Sequence, residues 1–299
     1  MRKISKFAAA ALILAMSAAC GNNDEPAQEN QQSQRTPLQV VSQIQTRASK
    51  EAWASGDAIG VYSLDGTTAE YSNYQYTTTG NGVFDPASEA ATILLPADNS
   101  ARSIVGYYPY SASVSGGIIP VDVSNQENQE AIDLLVSNTV GGVTKDSPLA
   151  NLNFYHKLSR IEMAISPGLG ITAEQMAQMT VTLDNQYTTG SYDIMNEQSG
   201  ITVSGQPTTV SLLMAEDGTT AEAIILPAES TEGMSFTFTI PEMGSYTFVV
   251  GNAAGSQSFV AGNKYKYTVL INRTGLTITS TIEDWGAGNG ENGENIVAE

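Results

Sequence analysis

The stretch Phe236-Thr-Phe-Thr-Ile240 alternates strictly between large apolar and hydroxyl-bearing side chains. Successive side chains of a β-strand point to opposite faces, so the two phenylalanines and the isoleucine would share one side. An amphipathic helix would instead repeat its apolar residues every three or four positions. The stretch therefore predicts a half-buried strand, with one face on a core and one face in water.

The same period of two recurs on both sides of this stretch, at 38–44, 246–250 and 265–271. Glycine, asparagine, aspartate or proline separates most of the alternating segments, as turns between short strands require. A single helix is predicted, because Thr172 and Gln175 have the spacing of a capping box. The fold class is therefore all-β, with strands at the spacing of a β-sandwich.

Two domains are predicted, since 299 residues are enough for two cores of ordinary size. The strand pattern breaks between Gly141 and Pro148 and resumes at Asn151. We place the boundary near residue 150, which predicts one β-sandwich over 48–150 and a second over 151–285.

The composition excludes several classes of function. The chain has 31 acidic and 13 basic residues, a net charge of −18, one histidine and one cysteine. Phosphate backbones would repel such a chain, so nucleic acid is not an expected partner. Most metal sites and catalytic triads or dyads use histidine or cysteine. We therefore predict no enzyme activity, no metal and no cofactor.

Three features that could suggest chemistry have simpler explanations. His156 has no second histidine or free cysteine with which to share a metal, so a packed or capping role is expected. Asp193 and Glu197 resemble a glycosidase pair, but 31 acidic residues produce such pairs by chance. The glycine-rich Gly286–Gly290 stretch lacks the lysine and helix of a phosphate loop.

The first 19 residues have the order of a bacterial export signal. Arg2, Lys3 and Lys6 precede an apolar run of ten residues, and small residues lead to Cys20. This order resembles a lipobox, in which the cysteine is acylated and becomes the new N-terminus, although Ser17 stands where leucine is usual. The alternative is an ordinary export signal with an incidental cysteine.

The segment 20–37 is rich in glutamine and asparagine and is predicted to be a flexible tether. Its Asp24-Glu25 pair resembles a weak signal that sends lipoproteins to the outer face of the outer membrane. A solvated tether explains the pair equally well.

Several motifs occur in a fixed order along the mature chain: Trp53, Gly56-Asp-Ala-Ile-Gly-Val-Tyr62, Phe154-Tyr-His-Lys-Leu158, Ile225-Leu-Pro-Ala228, Phe259–Tyr267 and Ile282-Glu-Asp-Trp285. Together they resemble the fimbrillin family of the Bacteroidales, the lipoprotein-derived subunits of type V pili. The resemblance implies two tandem transthyretin-like β-sandwich domains and no catalytic site. It also implies assembly by strand exchange after an arginine-specific protease removes the N-terminal segment.

The segment 38–47 has the properties of a removable strand. Leu38, Val40 and Ile44 alternate with polar residues, and Arg47 follows in a stretch that a protease could reach. Cleavage at Arg47 would release the strand and open a groove for another strand. The alternative is a fixed first strand followed by a solvated arginine.

A second alternating segment lies at 276–285, where Leu276, Ile278 and Ile282 share one face, followed by a flexible tail at 286–299. Leu276, Ile278 and Ile282 make this segment the candidate donor strand for a neighbouring subunit. It could equally be the last strand of its own domain.

The resulting hypothesis is a stalk or tip subunit of a surface pilus, found in the outer membrane before processing and in the fimbrium afterwards. Its expected partners are other pilus subunits, the outer membrane through a lipid on Cys20, an arginine-specific protease acting at Arg47, and a host or bacterial surface ligand. A permanently lipid-bound pilus anchor is a further alternative within the family. The alternative of another class is a surface-anchored glycan-binding lipoprotein, suggested by the 13 tyrosines.

Overall fold

The computed structural model describes residues 35–44, 52–196 and 199–285, and β-strands dominate within these ranges. The predicted all-β class is confirmed. Through His156 the elements are β1 (Thr36–Pro37), β2 (Gln39–Ile44), β3 (Ala58–Asp65), β4 (Thr68–Thr78), β5 (Val83–Pro86), β6 (Leu94–Leu95), β7 (Arg102–Tyr108), β8 (Ile118–Asp122), α1 (Gln129–Ile132), β9 (Leu135–Ser137), β10 (Val140–Val143) and β11 (Leu149–His156).

The remaining elements are β12 (Ser159–Pro167), α2 (Ala173–Ala177), β13 (Thr180–Gln186), β14 (Thr189–Asp193), β15 (Thr202–Ser204), β16 (Thr208–Ser211), β17 (Leu213–Met214), β18 (Thr220–Ile225), β19 (Ser235–Ile240), β20 (Gly244–Val249), β21 (Asn263–Asn272) and β22 (Gly275–Asp284).

Seven strands of the first part pair into a closed ring, in the order β7-β3-β4-β5-β2-β11-β9 and back to β7. Within this ring β2 and β11 run parallel, and the other neighbours run antiparallel. The strand β10 pairs with another part of β7. Closure gives every strand of the ring a hydrogen-bonded neighbour on each side, which removes exposed sheet edges.

Aromatic side chains fill the core inside this ring. The Trp53 ring makes edge-to-face contacts with Phe84, Tyr108 and Phe154, with centroids 5.0, 5.4 and 5.2 Å apart. Edge-to-face packing of this kind adds favourable energy beyond burial alone. Two motifs that lie a hundred residues apart in the sequence therefore meet in one core.

The second part of the chain forms a sandwich of two sheets, ordered β17-β18-β12-β21-β22 and β16-β13-β19-β20. Phe236, Phe238 and Ile240 of β19 are buried in the core between them, as their alternation predicts. Phe236 contacts Tyr267 of the opposite sheet edge-to-face at 5.0 Å. One five-stranded and one four-stranded sheet thus share a continuous apolar core.

The helix predicted from the capping box is present as α2. The Thr172 hydroxyl accepts from the Gln175 backbone N–H, and the Gln175 side chain accepts from the Thr172 backbone N–H. Met176 and Met179 are buried in the core of the sandwich. The four-residue helix α1, capped by Asn128, was not predicted.

The two parts are joined by a third core and by shared polar contacts. The strand β8 pairs with β14, across the predicted boundary at residue 150. The Gln126 side chain accepts from the Ile224 N–H and donates to the Ile224 carbonyl, both at 2.8 Å. By its contacts the chain from Arg35 onward groups as one compact unit. Residue 150 itself lies inside β11, and the change of sheet occurs between His156 and Ser159; two separate domains stay a prediction.

Candidate functional site at the N-terminal strand

The strand β2 is a central member of the closed ring. It pairs in parallel with β11 from Leu149 to Phe154 and antiparallel with β5. Further backbone bonds hold it at both ends, from Leu38 N to Ile93 O at 2.9 Å and from Ser42 N to Gly82 O at 2.8 Å. We call the space between β5 and β11 that this strand fills the β2 slot.

The side chains predicted for a removable strand face the ring core. Leu38 is 3% and Val40 1% exposed, and the half-buried Ile44 packs against the same core. Ser42 is also buried, and its hydroxyl has no hydrogen-bond partner among the described residues. A buried hydroxyl without a partner is unfavourable, so this position of β2 is not optimised for stability.

Gly82 allows β2 to approach β5 closely. Its φ of +79° lies in the left-handed region, and a Cβ atom there would stand 2.8 Å from the Ser42 carbonyl oxygen. Any other residue would therefore have to shift the backbone of β2. An Asn-Gly pair such as Asn81-Gly82 is typical of a turn, but no local pattern in the sequence indicates a contact with residue 42.

Arg35 is the other arginine close to β2. Its guanidinium donates to the Tyr71 hydroxyl at 3.3 Å and lies 4.0 Å from Glu70, which also binds Arg102 at 2.6 Å. Thr36 and Pro37 after it pair with β6. Arg35 is thus partly held by the fold, whereas Arg47 lies outside the described residues.

The predicted donor strand lies in its own sheet. All ten residues of β22 pair with β21, and β22 stands at the end of the five-stranded sheet. Leu276, Ile278 and Ile282 are partly buried against the sandwich core. In this structure the segment is therefore the last strand of its own sheet, which is the second of the two alternatives. Its role as a donor strand stays a prediction.

His156 is packed, as expected. Its Nδ1 lies 2.9 Å from Asp133 Oδ1, and its ring stacks on Trp285. Its Nε2 is buried without a hydrogen-bond partner among the described residues. Asp193 accepts from the Met195 N–H at 2.9 Å, as a turn residue does.

The predicted lipidation site Cys20 lies outside the described residues, as do Glu197 and the stretch Gly286–Gly290. Within the described ranges, no group of three or more histidine, cysteine, aspartate or glutamate side chains is placed to hold a metal ion. In the same ranges, no helix has the length and apolarity needed to cross a bilayer.

Comparisons with known proteins agree on one family. A family model described as fimbrillin-like matches residues 46–285. A curated protein of Bacteroides uniformis, named "Putative fimbrium subunit Fim1C", is 40% identical over 266 residues, which cover 86% of this chain and 87% of that protein.

Solved structures show the same relationship. A "putative cell adhesion protein" from Bacteroides uniformis matches with a TM-score of 0.76 and 38% identity, covering 84% of this chain and 99% of that chain. Another from Bacteroides ovatus, at 24% identity, shares the fold with a TM-score of 0.66, covering 84% and 98%. Because the family model spans most of the chain and the Fim1C similarity spans most of both proteins, this chain belongs to the fimbrillin-like family.

Proposed function

We propose that the chain is a subunit of a cell-surface fimbrium, exported as an outer-membrane lipoprotein and polymerised by strand exchange. In this proposal an arginine-specific protease cuts after Arg47, and a strand of the next subunit takes the place of β2. The observation that carries the proposal is the position of β2, a buried strand with neighbours on both sides that directly precedes Arg47.

A cut after Arg47 would separate β2 from the rest of the chain, because β2 ends at Ile44 and the next strand, β3, begins at Ala58. The strand would then be held by hydrogen bonds and side-chain burial alone. Each of its large aliphatic side chains contributes roughly 1.5–3 kcal/mol when fully buried. Loss of β2 would open the ring and expose the core around Phe84 and Phe154.

The candidate donor matches β2 position by position. The segment Leu38-Gln-Val-Val-Ser-Gln-Ile44 and the segment Leu276-Thr-Ile-Thr-Ser-Thr-Ile282 share the pattern Leu-x-Val/Ile-x-Ser-x-Ile. The shared serines, Ser42 and Ser280, are each 5% exposed. A strand with this pattern could enter the β2 slot with its aliphatic residues at the same three core positions.

Backbone pairing is of similar extent in the two places. In its own sheet β22 pairs through ten residues with one neighbour, whereas β2 pairs with two neighbours, through six residues with β11 and two with β5. A donor that left the sheet edge and entered the slot would exchange one long ladder of backbone bonds for two shorter ones. Because each donor reaches into a different copy, the contact does not close, and open filaments result.

The lipid anchor and the cleavage site are supported by the sequence alone. The basic n-region, the apolar run and the small residues before Cys20 have the order of an exported lipoprotein. Two or more acyl chains would anchor the precursor stably, and the tether would hold the fold away from the membrane. Cleavage at Arg47 would then release the subunit from its lipid.

A disulfide cross-link tests the exchange and its register. In the matched alignment Thr279 takes the place of Val41, whose partner across the strands is Val83. Cys20 is the only cysteine of the chain, so a Cys20→Ala background with Thr279→Cys and Val83→Cys contains one engineered pair. After cleavage by an arginine-specific protease, we expect disulfide-linked oligomers on a non-reducing gel.

The control moves one cysteine by two residues, using Thr281→Cys with Val83→Cys, and should give few cross-links because the Cα atoms would be too far apart. If the unmodified protein polymerises but the matched pair does not cross-link, β22 is not the donor in this register. If the cleaved, unmodified protein forms no polymers, the result favours the surface-anchored glycan-binding lipoprotein.

A further inference from the structure

A cleft of about 350 Å³ lies between the end of β7, the strand β8 and the helix α1. It is lined by buried aliphatic side chains, among them Ile119, Val121 and Leu134, and by the more exposed Pro109, Tyr110 and Pro120. The residues of the β2 slot are not among those that line it. Strand exchange therefore does not account for this cleft.

The polar side chains that line the cleft are one carboxylate, Asp122, and the hydroxyls of Tyr107, Tyr110 and Ser111. Asp122 accepts from the Ser124 N–H with one carboxylate oxygen, at 2.9 Å, and its side chain lies on the exposed side of β8. Ser111 adds a hydroxyl. The described residues that line the cleft include no lysine, arginine or histidine. The cleft thus offers acceptors for hydroxyl groups and no cation for an anionic ligand.

The wall that carries Tyr110 is held rigidly. The Tyr107 hydroxyl lies 2.8 Å from Asn73 Oδ1 and accepts from the Ser111 N–H at 3.1 Å. The Asn73 amide donates to the Ser111 carbonyl at 2.9 Å and to the Val114 carbonyl at 3.3 Å. A preorganised site loses less conformational entropy when a ligand binds.

We propose that this cleft binds a neutral saccharide of one or two pyranose rings. The apolar face of a sugar ring would pack on Tyr110, and ring hydroxyls would donate to Asp122. The volume suits a ligand of this size, and the acidic lining disfavours a negatively charged sugar. The inference goes beyond the proposed function, because assembly of a fimbrium requires no sugar site.

An extended peptide is a poorer fit. The strand β8 stands at the end of its three-stranded sheet, and Pro120 at its centre provides no N–H for a strand added at that edge. Ala131 and Ile132, of the helix α1, also line the cleft.

Saturation-transfer difference NMR on the full chain with Cys20→Ala tests the proposal. The probes are cellobiose, maltose, lactose and N,N′-diacetylchitobiose, with 3′-sialyllactose as the acidic comparison and hexaproline as the peptide comparison. We expect saturation transfer to at least one neutral disaccharide and loss of that signal in Tyr110→Ala and in Asp122→Asn. The control Tyr246→Ala, which truncates a half-buried tyrosine of the second part, should retain the signal.

Absence of transfer to all four neutral disaccharides would overturn the proposal. An unchanged signal in Tyr110→Ala and Asp122→Asn would also overturn it, as would displacement of the sugar signal by hexaproline. If Tyr110→Ala fails to fold, the exposed and nearly isosteric change Asp122→Asn decides the question. Neither change should affect the formation of oligomers after cleavage at Arg47. Failure of the saccharide proposal is therefore distinguishable from failure of the strand-exchange proposal.

Discussion

The imidazole of His156 lies flat against the indole of Trp285, with ring centroids 4.1 Å apart and planes inclined by 10°. His156 ends β11 of the ring, and Trp285 directly follows β22 of the sandwich. The Asp133 carboxylate lies 2.9 Å from Nδ1 of the imidazole and so fixes the orientation of the ring. The stack therefore fixes the end of the candidate donor strand to the first part of the fold.

Removal of the indole should loosen the fold at this junction. Trp285 is fully buried, so Trp285→Ala should lower the free energy of unfolding by about 3–5 kcal/mol. Urea denaturation followed by circular dichroism measures the change. The control Thr277→Ala, an exposed position on β22, should change it by less than about 0.5 kcal/mol. Equal effects of the two variants would contradict a role for the stack.

Close contact between Gly82 and β2 leads to a second prediction. Gly82→Ala should destabilise the protein by at least about 1 kcal/mol and displace β2, because the new Cβ meets the Ser42 carbonyl in a left-handed conformation. Gly66→Ala is the control, since Gly66 has a φ of +60° with no atom within 4 Å of the added Cβ. Hydrogen exchange at the amides of β2 should accelerate in Gly82→Ala only.

Acylation of the precursor is tested directly in cells. Cys20→Ala should abolish incorporation of an alkynyl fatty acid, because the thiol that accepts the acyl chain is removed. Ser17→Leu, which restores the residue usual in a lipobox, should keep or increase the labelling. Labelling that persists in Cys20→Ala would show that the lipobox interpretation is wrong.

Processing after Arg47 predicts a defined mature N-terminus. N-terminal sequencing of protein sheared from the cell surface should begin at Ala48, and Arg47→Ala should retain the β2 segment and block polymer formation. Arg35→Ala serves as the comparison, because Arg35 is partly held by Tyr71 and Glu70. A mature chain that begins at Thr36 would move the processing site to Arg35.

A charged side chain at position 278 of the candidate donor strand should prevent strand exchange. Ile278→Asp would place a carboxylate in the apolar β2 slot, where an unpaired charge is strongly unfavourable. We expect its ladder of detergent-resistant oligomers on an unheated gel, after cleavage at Arg47, to be lost. Thr279→Asp adds the same charge to the exposed face of β22 and should keep the ladder. A folded Ile278→Asp subunit with a normal ladder would exclude β22 as donor.

Local patterns in the sequence were sufficient to predict the strands. Phe236 and Phe238 are buried and Thr239 is exposed, as the period of two requires. The capping box at Thr172 likewise identified α2, because both of its hydrogen bonds join residues three positions apart. The helix α1 has only four residues, too few to show a helical period.

The arrangement of these strands depends on contacts that no local pattern contains. Closure of the ring requires β7 to pair with β9, and the central place of β2 requires a parallel partner more than a hundred residues away. The predicted boundary at residue 150 would put Trp53 and Phe154 in different domains. Their edge-to-face contact places them in one core instead.

The order of residues is sufficient to put Leu38, Val40 and Ile44 on one face, because side chains alternate along any strand. The repeat of this pattern over 276–282 is likewise visible in the sequence. Long-range contacts, in contrast, give β2 its neighbours on both sides, bring Gly82 against its backbone, and bring Tyr110 and Asp122 to one cleft. Alternation follows from the stereochemistry of each residue, whereas pairing and packing depend on which distant segments bury their surfaces together.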